Sequence, residues 1–466
     1  MARRAERISK IQTFIEGRTD GNATGSTLGG VGITDQNLRN GSRSIRGASE
    51  ATRDIDALYL STDIEPTEWL NLNFGYRFED SLLSVDSETI LDSSNSIANV
   101  FRQYDAARAS FRANPNPNNA VRGNEADVLG VPDGQRFIAG DTITQDLEDR
   151  DYLPSANVTV TPTNGIQVKL GYYETLNRPS FREITSDIFI DVGTGDQLGG
   201  NPFLQSSTAE NYDFRVEFYP GQFQFSLPFG DAAFHADDML GISLFRKEIE
   251  NPIEFLRPTD RNINEMPFNN PEGATAEGIE FEFSKNLGFI PVPYLEYFTL
   301  GGNVSFTTAV AGVSDAEAAL LGLNVNTDEN ALDDERQLTE QPDQILNLDL
   351  TYEHPAWGTR VTLAYNEKSE ILEAIGSEKD FDSFRGPTER LDLIVSHAFK
   401  NGLTLSFAVK NLLDEGYETY FRNRSPDLTV GNLSNMRDPG QFTRDQPRQT
   451  VETVGRSFSF SIGYEF

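Results

Sequence analysis

The chain has 466 residues, of which 37% are hydrophobic, and a mean hydropathy of -0.45. No stretch approaches the roughly 18 to 20 uninterrupted apolar residues of a membrane-spanning helix, whereas a membrane-spanning strand needs only about 9 to 11 residues with every second one apolar. The 72 acidic against 39 basic residues give a net charge of -33, which argues against nucleic-acid binding. The 32 Phe and 15 Tyr argue against disorder, and the lack of Cys excludes disulfides and thiolate metal sites.

The amino-terminal segment joins a basic run, Met1 to Lys10, to a short apolar patch, Ile11 to Ile15. A secretory signal needs about 7 to 15 apolar residues, so no signal peptide is predicted. A protein that spans a membrane with strands must first be exported, and the chain is therefore interpreted as a fragment. We assign residues 1–52 to a first strand and outer loop, and residues 53–466 to the main β-region.

Period-two alternation predicts strands through most of the chain. In Leu70 to Glu79, apolar residues at the even positions alternate with polar ones, and Leu346 to Glu353 repeats the pattern. Similar stretches are Ile166 to Tyr172, Tyr212 to Phe218, Ile279 to Phe283, Phe298 to Phe306, Val361 to Tyr365, Leu391 to Val395 and Leu403 to Val409. Helical spacing is scarce, and its best candidate is Asp315 to Leu321, inside a predicted loop. We predict about fourteen strands.

The predicted connections differ in length in a regular way. Short ones alternate with long ones, as in membrane barrels, which have short periplasmic turns and longer outer loops. The short ones are Glu65 to Trp69, Pro162 to Gly165, His354 to Gly358 and Lys400 to Gly402; the long ones are Ser84 to Asp149, Ser180 to Ala209, Gly312 to Gln341 and Asp414 to Val451. The connection from Tyr219 to Ala236 is an exception, because it is long where a short turn is expected.

The end of the chain is unusually apolar for a terminus, which normally frays into water. One face carries Phe458, Phe460, Ile462, Tyr464 and Phe466. Outer-membrane barrels are similar here, and this similarity implies that the five residues form the signal for the outer-membrane assembly machinery. Together these features predict an all-β protein, an antiparallel transmembrane β-barrel in the outer membrane of a Gram-negative bacterium.

A succession of motifs resembles the barrel of TonB-dependent receptors over residues 53 to 466. The motifs are ETLNRPSFREI at Glu174 to Ile184, Gly-Asn-Pro at Gly200 to Pro202, AENYDFRVEFY at Ala209 to Tyr219, LFRKEIENPIEF at Leu244 to Phe255, GIEFEFSKNLGF at Gly278 to Phe289 and VKNLLDEGYETYF at Val409 to Phe421. The resemblance implies a 22-stranded barrel closed by a plug domain. It also implies uptake of a scarce, bulky ligand, powered through TonB in the full-length protein.

The sequence departs from the family at its amino-terminal end, since no TonB box, plug or first group of strands is recognised. We therefore expect the last strand, Arg456 to Phe466, to lack its partner. It would then pair with the segment near Ile8 to Ile15 or leave an open edge. Such a fragment is expected to form a passive pore or to aggregate, not to transport by itself.

Few residues point to chemistry, and we predict neither an enzyme nor a cofactor. His235 with Asp237 and Asp238 is a weak candidate for a metal site, and His354 and His397 are interpreted as interfacial rings. Two acidic segments, Asp146 to Asp151 and Asp333 to Glu335, could hold Ca²⁺ but are more typical of solvated loops. Gly193, Gly195 and Gly199 are interpreted as a flexible loop and not as a phosphate loop.

Arg178, Arg182 and Glu183 follow a predicted strand at its outer end. Contact with a ligand is one interpretation; the favoured one is structural, with an ion pair at the barrel mouth and Pro179 ending the strand pairing. The sequence leaves the ligand open among siderophores, cobalamin and oligosaccharides. Two other functions stay open, a passive porin and a soluble secreted carbohydrate-binding β-protein.

Overall fold

The computed structural model describes residues 26–28, 31–33, 49–88, 142–185, 188–190, 197–222, 235, 238–257, 265–314, 317, 335–354, 356–376, 382–422 and 449–464. The strands are β1 (Ser26–Leu28), β2 (Val31–Ile33), β3 (Ser49–Thr67), β4 (Leu70–Glu88), β5 (Thr142–Thr163), β6 (Ile166–Asn177), β7 (Ile188–Ile190), β8 (Gln197–Gly199), β9 (Ser207–Phe218), β10 (Met239–Glu250), β11 (Ile253–Leu256), β12 (Met266–Asn269), β13 (Ala274–Asn286), β14 (Phe298–Gly312), β15 (Glu335–Gln337), β16 (Gln344–His354), β17 (Thr359–Lys368), β18 (Ile371–Ala374), β19 (Asp382–Arg385), β20 (Thr388–Ala398), β21 (Leu403–Lys410), β22 (Tyr417–Arg422), β23 (Gln449–Glu452) and β24 (Ser457–Tyr464). One short α-helix, α1 (Phe181–Ile184), follows β6, and 3₁₀ turns cover Pro220–Gln222, Leu287–Phe289 and Leu295–Tyr297.

One antiparallel sheet of fourteen strands dominates the fold. Its order is β24-β21-β20-β17-β16-β14-β13-β10-β9-β6-β5-β4-β3, with β15 added beside β14. Each long strand pairs with the long strand before and after it in the chain, which is the up-and-down arrangement of a barrel wall. The sheet confirms the predicted number of about fourteen strands. Within the described ranges, β3 and β24 each have one neighbour in this sheet.

The two faces of the sheet differ sharply in polarity. Where β9, β10 and β13 lie side by side, Phe214, Leu244 and Ile279 are in register on one face, and Arg215, Ser243 and Glu280 are in register on the other. The apolar face is exposed along the whole sheet, for example at Leu60 (64%) and Phe460 (64%). An exposed apolar face this wide requires a lipid environment, so the structure confirms the predicted transmembrane wall.

Long and short connections lie at opposite ends of the sheet, as predicted. The short-turn end includes the turns between β3 and β4, β5 and β6, β16 and β17, and β20 and β21. Gly165, Gly358 and Gly402 have positive φ in the last three of these turns. Two connections at this end are longer, one between β9 and β10, as expected, and one between β13 and β14, which the sequence did not reveal.

The long connections contain more regular structure than the sequence predicted. The predicted loop Ser84 to Asp149 begins and ends inside strands, because β4 continues to Glu88 and β5 starts at Thr142. The extension is stabilised by a small core in which Ala51, Leu83, Val85 and Ile184 are buried. The predicted loop Ser180 to Ala209 contains α1, β7 and β8. The loop Gly312 to Gln341 contains β15, and the loop Asp414 to Val451 contains β22 and β23. The loop boundaries were therefore wrong at Ser84 and Asp149.

Some predicted elements fall partly or wholly outside the described residues. Of the predicted helix Asp315 to Leu321, Glu317 is described and is helical. The segment Ile8 to Ile15 lies outside the described ranges. The domain division after residue 52 stays a prediction; it falls inside β3, which begins at Ser49. In the part of the chain that is described, no helix has the length and apolar character needed to cross a membrane.

Aromatic side chains collect at the short-turn end of the sheet. The His354 ring lies 4.2 Å from the Tyr297 ring and 4.3 Å from the Trp357 ring, to which it is nearly parallel. His397 lies against Phe399 at 4.3 Å. Aromatic girdles mark the borders of the apolar band in membrane barrels, so these rings fit the predicted interfacial position for both histidines.

Candidate functional site

The polar face of the main sheet carries a continuous strip of ion pairs. Lys169 on β6 contacts Glu217 on β9 at 2.8 Å, and Glu217 also accepts a hydrogen bond from Arg215 at 2.6 Å. Arg215 then reaches across β10 to Glu282 on β13 at 2.6 Å. The guanidinium passes close over Gly241, where a Cβ would lie 3.0 Å from Nη2 of Arg215.

Carboxamides continue the polar strip on the next strands. Asn366 on β17 donates to Asn347 on β16 at 2.7 Å, and Asn347 donates to Asn303 on β14 at 2.8 Å. Asn303 is the register partner of Glu282, so the carboxamides continue the line of ion pairs. A face of this kind is suited to water and to polar partners, which makes it the lumen side of the wall.

The side chains of Arg178 and Glu183, two of the residues singled out after β6, bind partners within the protein. Arg178 is 12% exposed and pairs with Glu79, at 2.6 Å, and with Asp151. Glu183 closes a capping box with Ser180 at the start of α1, while the carbonyl of Arg182 accepts a hydrogen bond from Thr185. The ion pair at the mouth therefore agrees with the structural interpretation of Arg178.

The long connections do not stay separate but join into one hydrogen-bonded layer. We call this the loop layer; it consists of α1, β7, β8, β11, β12, β15, β18, β19, β22 and β23. The β7–β8 pair meets β12 where Gly199 N–H donates to the Glu265 carbonyl at 2.9 Å. The β11–β12 pair meets β18 through Ile375, whose N–H donates to Phe255 at 2.9 Å. From β18 the ladder continues through β19 and β22 to β23.

Most of the fully buried apolar side chains among the described residues lie in the loop layer. Eight apolar side chains in it have at most 2% of their surface exposed, and these are Ile184, Leu204, Leu256, Met266, Phe268, Leu372, Ala374 and Ile375. Buried apolar surface stabilises a layer of this kind, whereas the apolar side chains of the wall face lipid. The long connections are therefore a folded unit above the wall.

A buried charged triad lies inside the loop layer. Arg336 on β15 forms two hydrogen bonds with Glu254 on β11, at 2.6 and 2.8 Å, and two with Glu317, at 2.7 and 3.0 Å. Its fifth N–H donates to the Gln337 carbonyl. Burial alone would lower the pKa of Arg336, but the two carboxylates hold it above its ordinary value, so Arg336 stays charged.

Glu254 has further partners, and all of them come from the same layer. Its carboxylate accepts hydrogen bonds from Asn270 Nδ2 at 2.8 Å and from Thr339 N–H at 3.2 Å. Glu254 and Glu317 are both completely buried. The sequence analysis missed this triad, although the alternation Ile253-Glu254-Phe255 in the LFRKEIENPIEF motif predicts a short strand with Glu254 on one face.

The weak metal candidates are not assembled into a site among the described residues. Asp238 instead accepts hydrogen bonds from Lys285 Nζ at 2.5 Å, from Asn286 N–H at 2.8 Å and from His235 N–H at 2.9 Å. Asp237, Asp333 and Asp334 lie outside the described ranges, as do Gly193 and Gly195, while Gly199 ends β8.

The carboxy-terminal strand β24 presents its aromatic side chains to the apolar face. Phe458, Phe460, Ile462 and Tyr464 are all more than half exposed, and β24 pairs with β21 from Ser457 to Tyr464. Phe466 lies outside the described residues. The role of these five residues as an assembly signal stays a prediction.

The up-and-down sheet with a lipid-facing side, a polar lumen side and asymmetric ends defines the wall of an outer-membrane β-barrel. The family model for the TonB-dependent receptor-like β-barrel matches residues 12–412. The chain therefore belongs to that family, whose members are outer-membrane proteins of Gram-negative bacteria. No curated protein matches the sequence.

Solved structures with a similar fold include three outer-membrane receptors. The ferric-catecholate import receptor Fiu from E. coli is 15% identical and has a TM-score of 0.45, over 84% of this chain and 43% of Fiu. The ferric yersiniabactin uptake receptor FyuA from Yersinia pestis is 12% identical with a TM-score of 0.43, over 80% and 42% of the two chains. The siderophore receptor PiuA from Acinetobacter baumannii is 12% identical with a TM-score of 0.46, over 89% and 44%. The chain thus spans less than half the length of each.

Proposed function

We propose that this chain forms wall and outer loops of a receptor that takes up a scarce, bulky ligand across the outer membrane with energy delivered by TonB. The observation that carries the proposal is membership of the TonB-dependent receptor-like β-barrel family. The polar lumen side of the wall, which extends along at least seven strands, supports it. A barrel of that family is wide enough to need a plug, and its lumen admits ligands larger than a porin passes. Transport, and not catalysis, is the proposed activity.

The ligand belongs to one of three classes, siderophores, cobalamin or oligosaccharides. The partners proposed with it are TonB, the lipids around the apolar face and the outer-membrane assembly machinery. The passive porin stays as the second candidate, because a polar wall of fourteen strands would also line an aqueous channel.

The test compares native host cells with a strain from which the gene has been deleted. Uptake of radiolabelled ferric siderophores, cobalamin and oligosaccharides is measured at low ligand concentration, with and without an uncoupler. We expect one class to enter saturably in the parent strain only, and the uncoupler and deletion of tonB to abolish that entry. Entry that depends on the gene but is linear in concentration and insensitive to the uncoupler would overturn the proposal in favour of the porin.

A further inference from the structure

We infer that Arg336 couples the long connections of the loop layer to one another, so that they keep or lose their positions together. The inference rests on the proposed function, in which the ligand must pass the long-connection end of the wall. It differs from the simplest alternative, in which each long connection opens independently of the others.

Arg336 joins the layer to the wall. Its strand β15 pairs with β14 of the main sheet, with Arg336 opposite Ala311, and Leu338 N–H donates to the Ala309 carbonyl at 3.1 Å. The side chain of Leu338 is buried in a cluster whose other members are small, and these are Ala274, Ala276, Ala309 and Ala311. Small side chains let the segment after β15 approach the polar face of the wall closely, so β15 is fixed to β14 by backbone and by packing.

The same side chain joins two different connections to that fixed point. Glu254 belongs to the connection between β10 and β13, and Glu317 belongs to the connection between β14 and β16. All five N–H groups of Arg336 have acceptors, four of them on these two carboxylates. No lysine can reproduce this, since an ammonium group has three donors and no planar fork.

Glu254 links Arg336 to the remaining long connections. It lies on β11, the strand between β12 and β18 in the ladder, so its position sets the position of strands from three other connections. Removing Arg336 leaves two completely buried carboxylates close together without a cation, which is strongly unfavourable in a low-dielectric interior. The carboxylates then separate, reach water or take up a proton, and in each case the contact that holds β11 to β15 through Glu254 is lost.

The experiment measures distances between spin labels, for which a chain without Cys is well suited. Each variant carries a label at N164C in the short turn between β5 and β6. A second label is placed at Q205C, E272C or E418C, which are exposed positions in three different connections of the long end. Distance distributions are recorded in reconstituted membranes for the otherwise unchanged protein, R336M, R336K and R246M.

R246M is the matched control. Arg246 also pairs with two glutamates, Glu248 at 3.0 Å and Glu277 at 3.4 Å, but it is half exposed on the outer face of β10. We expect R336M to broaden the distance distribution at least twofold at all three label positions, R336K to broaden all three by less, and R246M to broaden none.

Broadening at E272C alone in R336M would overturn the inference, because it would show that the connections open separately. Should R336M fail to assemble, R336K decides: unchanged distributions at Q205C and E418C would overturn the inference. The measurement involves neither ligand nor TonB. The coupling can therefore fail this test while uptake remains energy-dependent. A failure of the uptake test would, in turn, leave the distances unchanged.

Discussion

Asn201 in the Gly-Asn-Pro motif is a buried residue whose removal should loosen the loop layer. Its side chain donates to the Pro267 carbonyl at 3.0 Å and accepts a hydrogen bond from Phe203 N–H at 3.0 Å, and it is 2% exposed. Asn201→Ala removes the donor to the buried Pro267 carbonyl and the acceptor of the half-buried Phe203 N–H. At roughly 1–2 kcal/mol for each unsatisfied group, the local free energy of opening should fall by about 2–4 kcal/mol.

Native-state hydrogen exchange with mass spectrometry measures this loss directly. Protection of the amides in β8 and β12 should fall by a factor of about 30 to 700, since about 1.4 kcal/mol corresponds to a factor of ten. Amides of β16 in the wall should keep their protection. Asn157→Ala, at an exposed position on the lumen side of β5, is the matched control and should change neither. Protection of β8 and β12 in Asn201→Ala within a factor of three of the original protein would refute the reasoning.

Three further predictions concern the short-turn end, the orientation and the last residue. Burial by itself would raise the pKa of Asp238, but hydrogen bonds from Lys285, Asn286 and His235 hold it below its ordinary value. The stability that ionised Asp238 contributes is therefore present above about pH 4 and is lost as the pH falls through the lowered pKa. In thermal scans the melting temperature of Asp238→Asn should consequently fall less on acidification than that of the original protein. Protease added to intact cells should cut within residues 89–141, between β4 and β5, and spare the turn at Pro162 to Gly165; the reverse pattern would overturn the orientation. Deleting Phe466 should reduce the heat-modifiable barrel more than an apolar-to-Ala change in a long connection, and equal levels would count against the assembly signal.

The wall was predictable because its determinants are local. Alternation of polar and apolar residues, as in Leu70 to Glu79, sets the strand and also sets which face meets lipid. Glycine and Asn in the tight turns mark the short-turn end, as at Asn164 and Gly165. The sequence therefore predicted the strand number, the two faces and most of the short turns.

The loop layer was not predictable in the same way, since its determinants are far apart in the chain. The partners of Arg336 are separated from it by 82 and 19 positions, and Asn201 bonds to a carbonyl 66 positions away. Strands of three or four residues, such as β8 and β18, are too short to show a period. The extension of β4 to Glu88 depends on packing of Val85 against α1, which no local pattern reveals.

The central claim is that one face of the fourteen-stranded sheet meets lipid and the other lines an aqueous lumen. Single-cysteine variants at Leu346, Asn347, Leu348 and Asp349 along β16 test it most directly, because the original chain has no Cys. In membranes we predict that a water-soluble maleimide reacts at Asn347 and Asp349, and that fluorophores at Leu346 and Leu348 are quenched by lipid-bound nitroxides. Equal labelling and equal quenching at all four positions would contradict the account.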